Sequence, residues 1–176
     1  IAYYNYGRLH FILGNYKLGK DLFLKAINID PYYIDAIYNL GNLLFETKNY
    51  SDAIKYYNNA ISIDTYFMKA YHNLGLTYYK NKQLNDAISI LKTSIQIDPT
   101  YINSYITLSQ ICLETENTKL AEDIFDKLLI QKPNEPNIFF EAGNFYFRIK
   151  NYPKAELLYN KTIELDNFFY RAYNNL

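Results

Sequence analysis

Apolar and small side chains recur along the chain at the spacing of helices. One stretch carries a first run of Ile37, Leu40, Gly41 and Leu44, and a second run of Ala53, Tyr57 and Ala60. Spacings of i, i+3, i+4, i+7 place such residues on one face of a helix. No stretch alternates with period two for long, so strands are not expected. The pattern therefore predicts pairs of amphipathic helices.

The same pattern recurs every 34 residues. If the small residue of the first run is called position 8, the copies of that position are Gly7, Gly41, Gly75, Ser109 and Gly143. Polar turn pairs such as Lys48-Asn49 separate the two runs, and proline follows the second run at Pro31, Pro99 and Pro133. Proline past a helix end cannot continue the hydrogen-bond ladder. We expect repeats over residues 1–33, 34–67, 68–101, 102–135 and 136–169, with 170–176 opening a truncated sixth.

One copy carries a recognisable signature. Its residues are Ala70-Tyr71-x-Asn73-Leu74-Gly75-x-x-Tyr78, followed by Ala87 and Pro99. This pattern resembles the tetratricopeptide repeat, a 34-residue helix-turn-helix unit. The resemblance implies an all-α fold, a right-handed α-solenoid of antiparallel helix pairs, with residues 1–176 forming a single array. It also implies a concave face lined by the first helix of each repeat.

Composition excludes several function classes. The 176 residues carry 18 basic and 18 acidic side chains, so the formal net charge is zero. Nucleic-acid binding normally needs excess positive charge, which also argues against the RNA-reading pentatricopeptide class as an alternative. A membrane span needs about 18 consecutive apolar residues, and polar residues interrupt every run sooner. We therefore expect no nucleic-acid partner and no membrane partner.

The first residue, the single cysteine and the terminal repeats support expectations about the intact protein, its compartment and its self-association. The chain begins with Ile1, so we expect it to be a piece of a longer protein. Cys112 is the single cysteine and so cannot form a disulfide within the chain, which favours the cytoplasm or another reducing compartment. Because terminal repeats normally need a polar cap, we also expect end-to-end self-association.

The resemblance places positions 2, 5, 6, 9, 12 and 13 of each repeat on the groove. The candidate binding residues are Tyr4, Asn5, Arg8, Tyr38, Asn39, Asn42, Lys69, His72, Asn73, Phe140 and Asn144. An asparagine column at position 6 could hold a peptide backbone, since an amide both donates and accepts. Alternatively, these amides hydrogen-bond only within their own helix pair. We expect the aromatic residues at position 5 to contact a partner and those at position 12 to pack internally.

Two further observations bear on which ligands and reactions are expected. Chaperone-binding members of the family clamp a terminal carboxylate with a set of Lys and Arg residues. This chain does not carry that set at the corresponding positions. His10 and Cys112 both occupy position 11 in the helix-pair core, three repeats apart, so they cannot form a nucleophile and base pair. We expect no catalytic residue, no metal and no cofactor.

The predicted function is a non-enzymatic scaffold that binds an extended peptide or partner helix. The alternative is a non-catalytic arm of a larger enzyme such as an O-linked N-acetylglucosamine transferase-like glycosyltransferase.

Overall fold

The chain is entirely helical in the computed structural model, which describes residues 1–176. The helices are α1 (Ala2–Ile12), α2 (Tyr16–Ile29), α3 (Ile34–Glu46), α4 (Tyr50–Ile63), α5 (Met68–Lys80), α6 (Leu84–Ile97), α7 (Ile102–Glu114), α8 (Thr118–Gln131), α9 (Pro136–Arg148), α10 (Tyr152–Leu165) and α11 (Tyr170–Asn175). Helices α3, α5, α7 and α9 each begin at the first residue of a predicted repeat. The predicted fold class, an all-α solenoid of helix pairs, is confirmed.

The first helix of every repeat ends in the same way. The residue at position 15 adopts a left-handed conformation, with φ between 57° and 76°, at Gly14, Lys48, Lys82, Glu116 and Lys150. After α3, the Lys48 amide donates to the Phe45 carbonyl at 2.9 Å and the Asn49 amide to the Leu44 carbonyl at 2.8 Å. This pair of bonds is the Schellman motif, which satisfies the last carbonyls of a helix. Four repeats therefore tolerate a side chain where glycine is usual.

Aspartate marks the end of most second helices. Asp30, Asp64 and Asp166 each adopt an extended conformation directly after the helix. The Asp64 carboxylate accepts a hydrogen bond from the Tyr66 amide at 2.8 Å, and Asp166 does the same for Phe168. Such a bond to the amide two residues on closes a local turn. Because Asp64 and Asp166 act without a following proline, the aspartate rather than the predicted proline is the common terminator.

Small and large residues interlock within each helix pair. A Cβ atom added at Gly41 would lie 2.8 Å from the Tyr57 ring, and one added at Gly143 would lie 2.7 Å from the Tyr159 ring. These glycines therefore let the second helix approach the first until an aromatic ring fills the space above the backbone. The close packing of each helix pair therefore depends on a small residue facing a large one.

The chain divides into two compact units. The first unit, residues 1–98, holds α1 to α6, and the second unit, residues 99–176, holds α7 to α11. The core of the first unit includes Phe23, Leu40, Leu43, Tyr57 and Leu74. In the second unit Phe125 packs its ring 5.3 Å from that of Phe145. The single array over residues 1–176 stays a prediction.

The two residues at position 11 differ in burial. Cys112 is fully buried, as expected for a core thiol. His10 is only partly buried, and its ring nitrogen Nδ1 lies 3.2 Å from the amide nitrogen of Asn15.

Candidate functional site

A chain of polar side chains joins three helices of the first unit. The Tyr57 hydroxyl on α4 donates to Oδ1 of Asn42 on α3 at 2.8 Å. The amide of Asn73 on α5 donates to the same oxygen at 2.8 Å and to the Tyr38 hydroxyl at 2.9 Å. One acceptor oxygen thus ties the two helices of one repeat to the first helix of the next. We call Tyr57, Asn42 and Asn73 the first relay.

The same arrangement recurs in the second unit. Tyr159 donates to Oδ1 of Asn144 at 3.0 Å, and the amide of Asn175 donates to that oxygen at 2.9 Å. Tyr159, Asn144 and Asn175 form the second relay, each member 102 residues, or three repeats, after its counterpart. The second relay also has a contact of its own, because the Asn144 amide donates to Glu141 at 3.3 Å.

Burial sets the protonation of these groups. Desolvation raises the pKa of Tyr57 and that of Tyr159, although hydrogen bonds from Asn73 and Asn175 oppose the rise. Both phenols therefore stay protonated and act as donors. Burial also lowers the pKa of His72, against a hydrogen bond with Asn73 that raises it, so the imidazole is neutral at pH 7.

The relays are confined to two of the five repeats. Both relays need tyrosine at position 24 of the repeat, which lies on the second helix. The other repeats carry Phe23, Leu91 and Phe125 there. Those side chains have no hydroxyl to donate. Repeats two and five are thereby chemically distinct from their neighbours at the same backbone position.

A pocket opens beside each relay. The first pocket, of about 310 Å³, is lined by Phe11, Asn42, Phe45, Glu46, Tyr57, Asn73 and Leu76. The second pocket, of about 550 Å³, is lined by Phe140, Asn144, Phe147, Arg148, Tyr159, Arg171, Asn174 and Asn175. Five lining positions are equivalent between them, namely the three relay residues, a phenylalanine at position 12 and a charged residue at position 13. Both volumes lie within the usual range for ligand pockets.

The predicted asparagine column is engaged between neighbouring repeats. The Asn39 amide donates to the Tyr4 hydroxyl at 3.3 Å and to the Asp35 carbonyl at 2.8 Å. Asn73 makes the equivalent bond to Tyr38. The expectation that these amides bond only within their own helix pair is wrong, because the tyrosine acceptors belong to the preceding repeat. The position 5 tyrosines are themselves half-buried, with Tyr38 packing its ring 5.0 Å from Phe67.

The expected exposure at positions 5 and 12 is reversed in the fifth repeat. Phe140 at position 5 is 2 % exposed, because the ring of Phe169 lies 5.0 Å from its own and the Arg171 guanidinium lies 4.5 Å above it. Phe147 at position 12 is 51 % exposed. Phe140 therefore forms the floor of the second pocket, while Phe147 offers an accessible ring.

The remaining candidates lie apart from the relays. Asn5, Arg8 and Lys69 are exposed and line neither pocket. The Arg8 guanidinium lies 5.7 Å from the centre of the Tyr4 ring. These three residues keep their predicted place on the first helices but do not contribute to either pocket beside the relays.

Sequence reasoning missed the second helix as a contributor. Tyr57 and Tyr159 belong to the second apolar run of their repeats and are not among the predicted binding residues, yet their hydroxyls anchor the relays. The signal was present, since tyrosine stands at position 24 only where asparagine stands at position 9. A buried hydroxyl requires a partner, so this pairing could have predicted the bond.

Comparison with known protein families identifies the repeats. Models described as tetratricopeptide repeat match residues 1–33, 22–55 and 78–139, and a model described as TPR repeat matches residues 41–82. The chain belongs to the tetratricopeptide-repeat family. This fold is generally a non-catalytic interaction scaffold. A search of curated protein sequences gave no match.

Solved structures of similar fold are tetratricopeptide-repeat proteins. A crystal structure of MamA is 20 % identical, with a TM-score of 0.67, covering 92 % of this chain and 94 % of that chain. YrrB, described as having an unusual peptide-binding site, is 19 % identical with a TM-score of 0.61, covering 99 % and 90 %. The first repeat domain of Spaghetti (RPAP3), bound to an HSP90 peptide, is 21 % identical with a TM-score of 0.61, covering 65 % and 91 %. At these identities the likeness extends to the fold.

None of the helices combines the length and apolarity needed to cross a membrane. No group of three or more His, Cys, Asp and Glu side chains is arranged to hold a metal ion.

Proposed function

We propose that this tetratricopeptide-repeat protein is an interaction scaffold that binds an extended peptide in the relay pockets on its first helices. The observation that carries the proposal is the recurrence, after three repeats, of one pocket built from an aromatic ring and a fixed amide. Aromatic rings are favourable anchors for partner side chains. YrrB and RPAP3 supply precedents for peptide binding on this fold.

The relays are suited to form the base of a binding pocket, because hydrogen bonds already hold their side chains in place in the absence of a ligand. In each relay the asparagine at position 9 accepts two hydrogen bonds, which fixes the orientation of its amide. An ordered floor lowers the entropy lost on binding. Phe45 and Phe147 stand at the pocket edge and supply apolar contact area.

The proposal is tested by selecting peptides from a random peptide library displayed on phage, using residues 1–176 as bait. A selected peptide is then synthesised and its affinity measured by isothermal titration calorimetry. We expect Phe147→Ala to weaken binding at least fivefold for peptides that use the second pocket, since truncating an aromatic anchor typically costs ~1 kcal/mol or more.

Phe168→Ala is the matched control. Phe168 belongs to the same unit and is 69 % exposed, but it lines neither relay pocket. Phe45→Ala tests the first pocket in the same way. Equal weakening by Phe147→Ala and Phe168→Ala, or a selection that enriches no peptide, would count against the proposal.

We also propose that the first repeat associates with a second copy of the chain. Tyr3, Tyr6 and Leu9 are 43 %, 50 % and 49 % exposed, whereas their counterparts Ile37, Leu40 and Leu43 are at most 2 % exposed. In the second repeat the equivalent face is covered by the first repeat. A repeat of the same type from a second copy therefore fits the exposed face of the first repeat. The last helix offers the exposed side chains of Tyr170, Tyr173 and Leu176.

Sedimentation velocity over a concentration series tests this association. We expect the average mass to rise with concentration, and Tyr6→Glu to suppress the rise, because the charge would be buried in the contact. Tyr32→Glu, at a site 77 % exposed in a loop, is the control. A monomer at every concentration contradicts the proposal.

A further inference from the structure

The two relay pockets differ in charge although their frames are equivalent. Position 13 is Glu46 beside the first relay and Arg148 beside the second. The second pocket is lined by two arginines and no acidic residue. The first pocket is lined by one acidic residue and no cation. The difference lies in residues at the pocket edge, since relay residues of the same type form both floors.

The arginines of the second pocket come from two different repeats. Arg148 is the last residue of α9, and Arg171 lies in α11. The Arg171 guanidinium is held 4.5 Å from the centre of the Phe140 ring. This cation–π contact holds the guanidinium beside the ring. Arg171 is exposed at the surface, so a ligand can reach it.

Neighbouring acidic groups do not enter this pocket. Glu141 is the nearest acid in sequence to the relay, and it accepts a hydrogen bond from the Asn144 amide at 3.3 Å. It lines an adjacent smaller pocket together with Ile106, Gln110 and Arg148. The second pocket therefore combines cationic donors with the amide of Asn174 and the exposed ring of Phe147.

We propose that the second pocket binds an acidic side chain, aspartate or glutamate, of an extended peptide, with Arg148 and Arg171 as its partners. This inference rests on the proposed function and names the ligand chemistry of one of its two pockets. Guanidinium groups form the strongest hydrogen bonds to carboxylates, because both partners are charged. An apolar residue beside the acid packs on Phe147. The first pocket rejects the same side chain, because Glu46 repels it.

The test uses two labelled peptides with blocked ends, Ser-Phe-Glu-Glu-Phe-Ser and its analogue with both Glu replaced by Gln. Binding to residues 1–176 is followed by nuclear magnetic resonance, which detects weak complexes and locates them. We expect the acidic peptide to shift amide signals around Asn144, Arg148 and Arg171. We expect the Gln analogue to bind about tenfold more weakly, the difference that a charged hydrogen-bonded pair typically supplies.

Arg148→Glu and Lys150→Glu form a matched pair of variants. Both change the net charge equally, but Lys150 is in the turn after α9 and does not line the pocket. Glu116 holds the equivalent turn position in the fourth repeat, so glutamate is compatible with this backbone. We expect Arg148→Glu to weaken the acidic peptide about tenfold, and Lys150→Glu to leave it within twofold of the unchanged protein. Binding of the acidic peptide should also weaken as salt is added.

A reciprocal variant probes the first pocket. Glu46→Arg gives it the charge of the second pocket, and we expect the acidic peptide to shift signals around Asn42 and Asn73 in this variant alone. Several results would overturn the inference: equal affinity for the two peptides, equal effects of Arg148→Glu and Lys150→Glu, or no binding of the acidic peptide. If both peptides bind equally and Phe147→Ala weakens both, the proposed function stands while the charge preference fails.

Discussion

The first and second relays have the same chemistry in different surroundings. In the first unit the relay joins two complete helix pairs, and Tyr57 is fully buried. In the second unit Asn175 lies on α11, a helix of six residues, and is exposed. A hydrogen bond is costly to leave unmade only where water cannot replace the lost partner. The same three side chains should therefore contribute more to the stability of the first unit than to that of the second.

The difference between the pockets separates two roles within one repeat. Positions 6, 9 and 24 build the floor and are identical in the two relays. Position 13 lies at the pocket edge and carries opposite charges, Glu46 and Arg148. A repeat array can thus keep one packing solution while it varies the chemistry offered to a ligand.

The largest expected effect comes from removing the shared acceptor. Asn42→Leu removes the acceptor of the buried Tyr57 hydroxyl and of the Asn73 amide, and we expect a loss of about 2 kcal/mol in the free energy of unfolding. Asn144→Leu should cost about half as much, because water reaches the second relay. Urea unfolding followed by circular dichroism measures both.

A double variant sharpens this comparison. Tyr57→Phe removes the hydroxyl, so Asn42→Leu should cost much less in that background than in the unchanged protein. Equal losses for Asn42→Leu and Asn144→Leu would show that burial does not distinguish the relays.

The next effect tests whether the rings of the two relays are seated alike. Gly41→Ala and Gly143→Ala each place a methyl group within 3 Å of the facing tyrosine ring. We expect each to destabilise its unit by roughly 1–2 kcal/mol, since overpacking forces the ring to move. Hydrogen exchange read by mass spectrometry assigns the loss to residues 1–98 or 99–176. Ser109→Ala is the control, because that position already carries a Cβ atom, and it should have a smaller effect.

A smaller expected effect is that the stability of the first unit depends on pH through a residue that the second unit lacks. Burial lowers the pKa of His72 beside the first relay, whereas the equivalent residue in the second unit is Asn174. The unfolded chain therefore takes up a proton first as the pH falls through about 6.5, so the folded state loses stability below that value. We expect faster hydrogen exchange in residues 1–98 at pH 5.5 than at pH 7 after correction for the intrinsic rate. His72→Phe, which copies the residue at position 5 of the fifth repeat, should abolish this change, and its persistence would assign the effect to another group.

The smallest effect concerns the turns that end α3 and α9. Lys48 and Lys150 adopt φ of 60° and 63°, a conformation that glycine adopts without steric cost. We expect Lys48→Gly and Lys150→Gly each to raise stability by about 0.5 kcal/mol, since relief of strain exceeds the entropy that glycine loses. Thermal unfolding measures the gain. A larger gain in one unit would show that its turn is more strained than the other.

Particular residues show how far the sequence could predict the site. The recurrence of Gly41 and Gly143 with Tyr57 and Tyr159 contains the information for where the two rings pack, because a residue without a Cβ atom leaves space for a large ring above the backbone. The bond from Asn73 to Asn42 could not be predicted from periodicity, since the pattern does not say which of several polar neighbours an amide meets. Phe140 and Phe147 were assigned the wrong exposures for a similar reason, because burial at position 5 depends on Phe169 and Arg171 of the next repeat.

The sequence by itself determined the helices, their pairing and the family, because each repeat contains a complete local pattern of apolar, small and turn residues. Tertiary structure decided which side chains of adjacent repeats meet, and hence that the asparagines form relays between repeats. It also decided that one repeated frame carries pockets of opposite charge. These features depend on distances of about 3 Å between residues roughly one repeat apart in sequence, which the spacing of residue types does not encode.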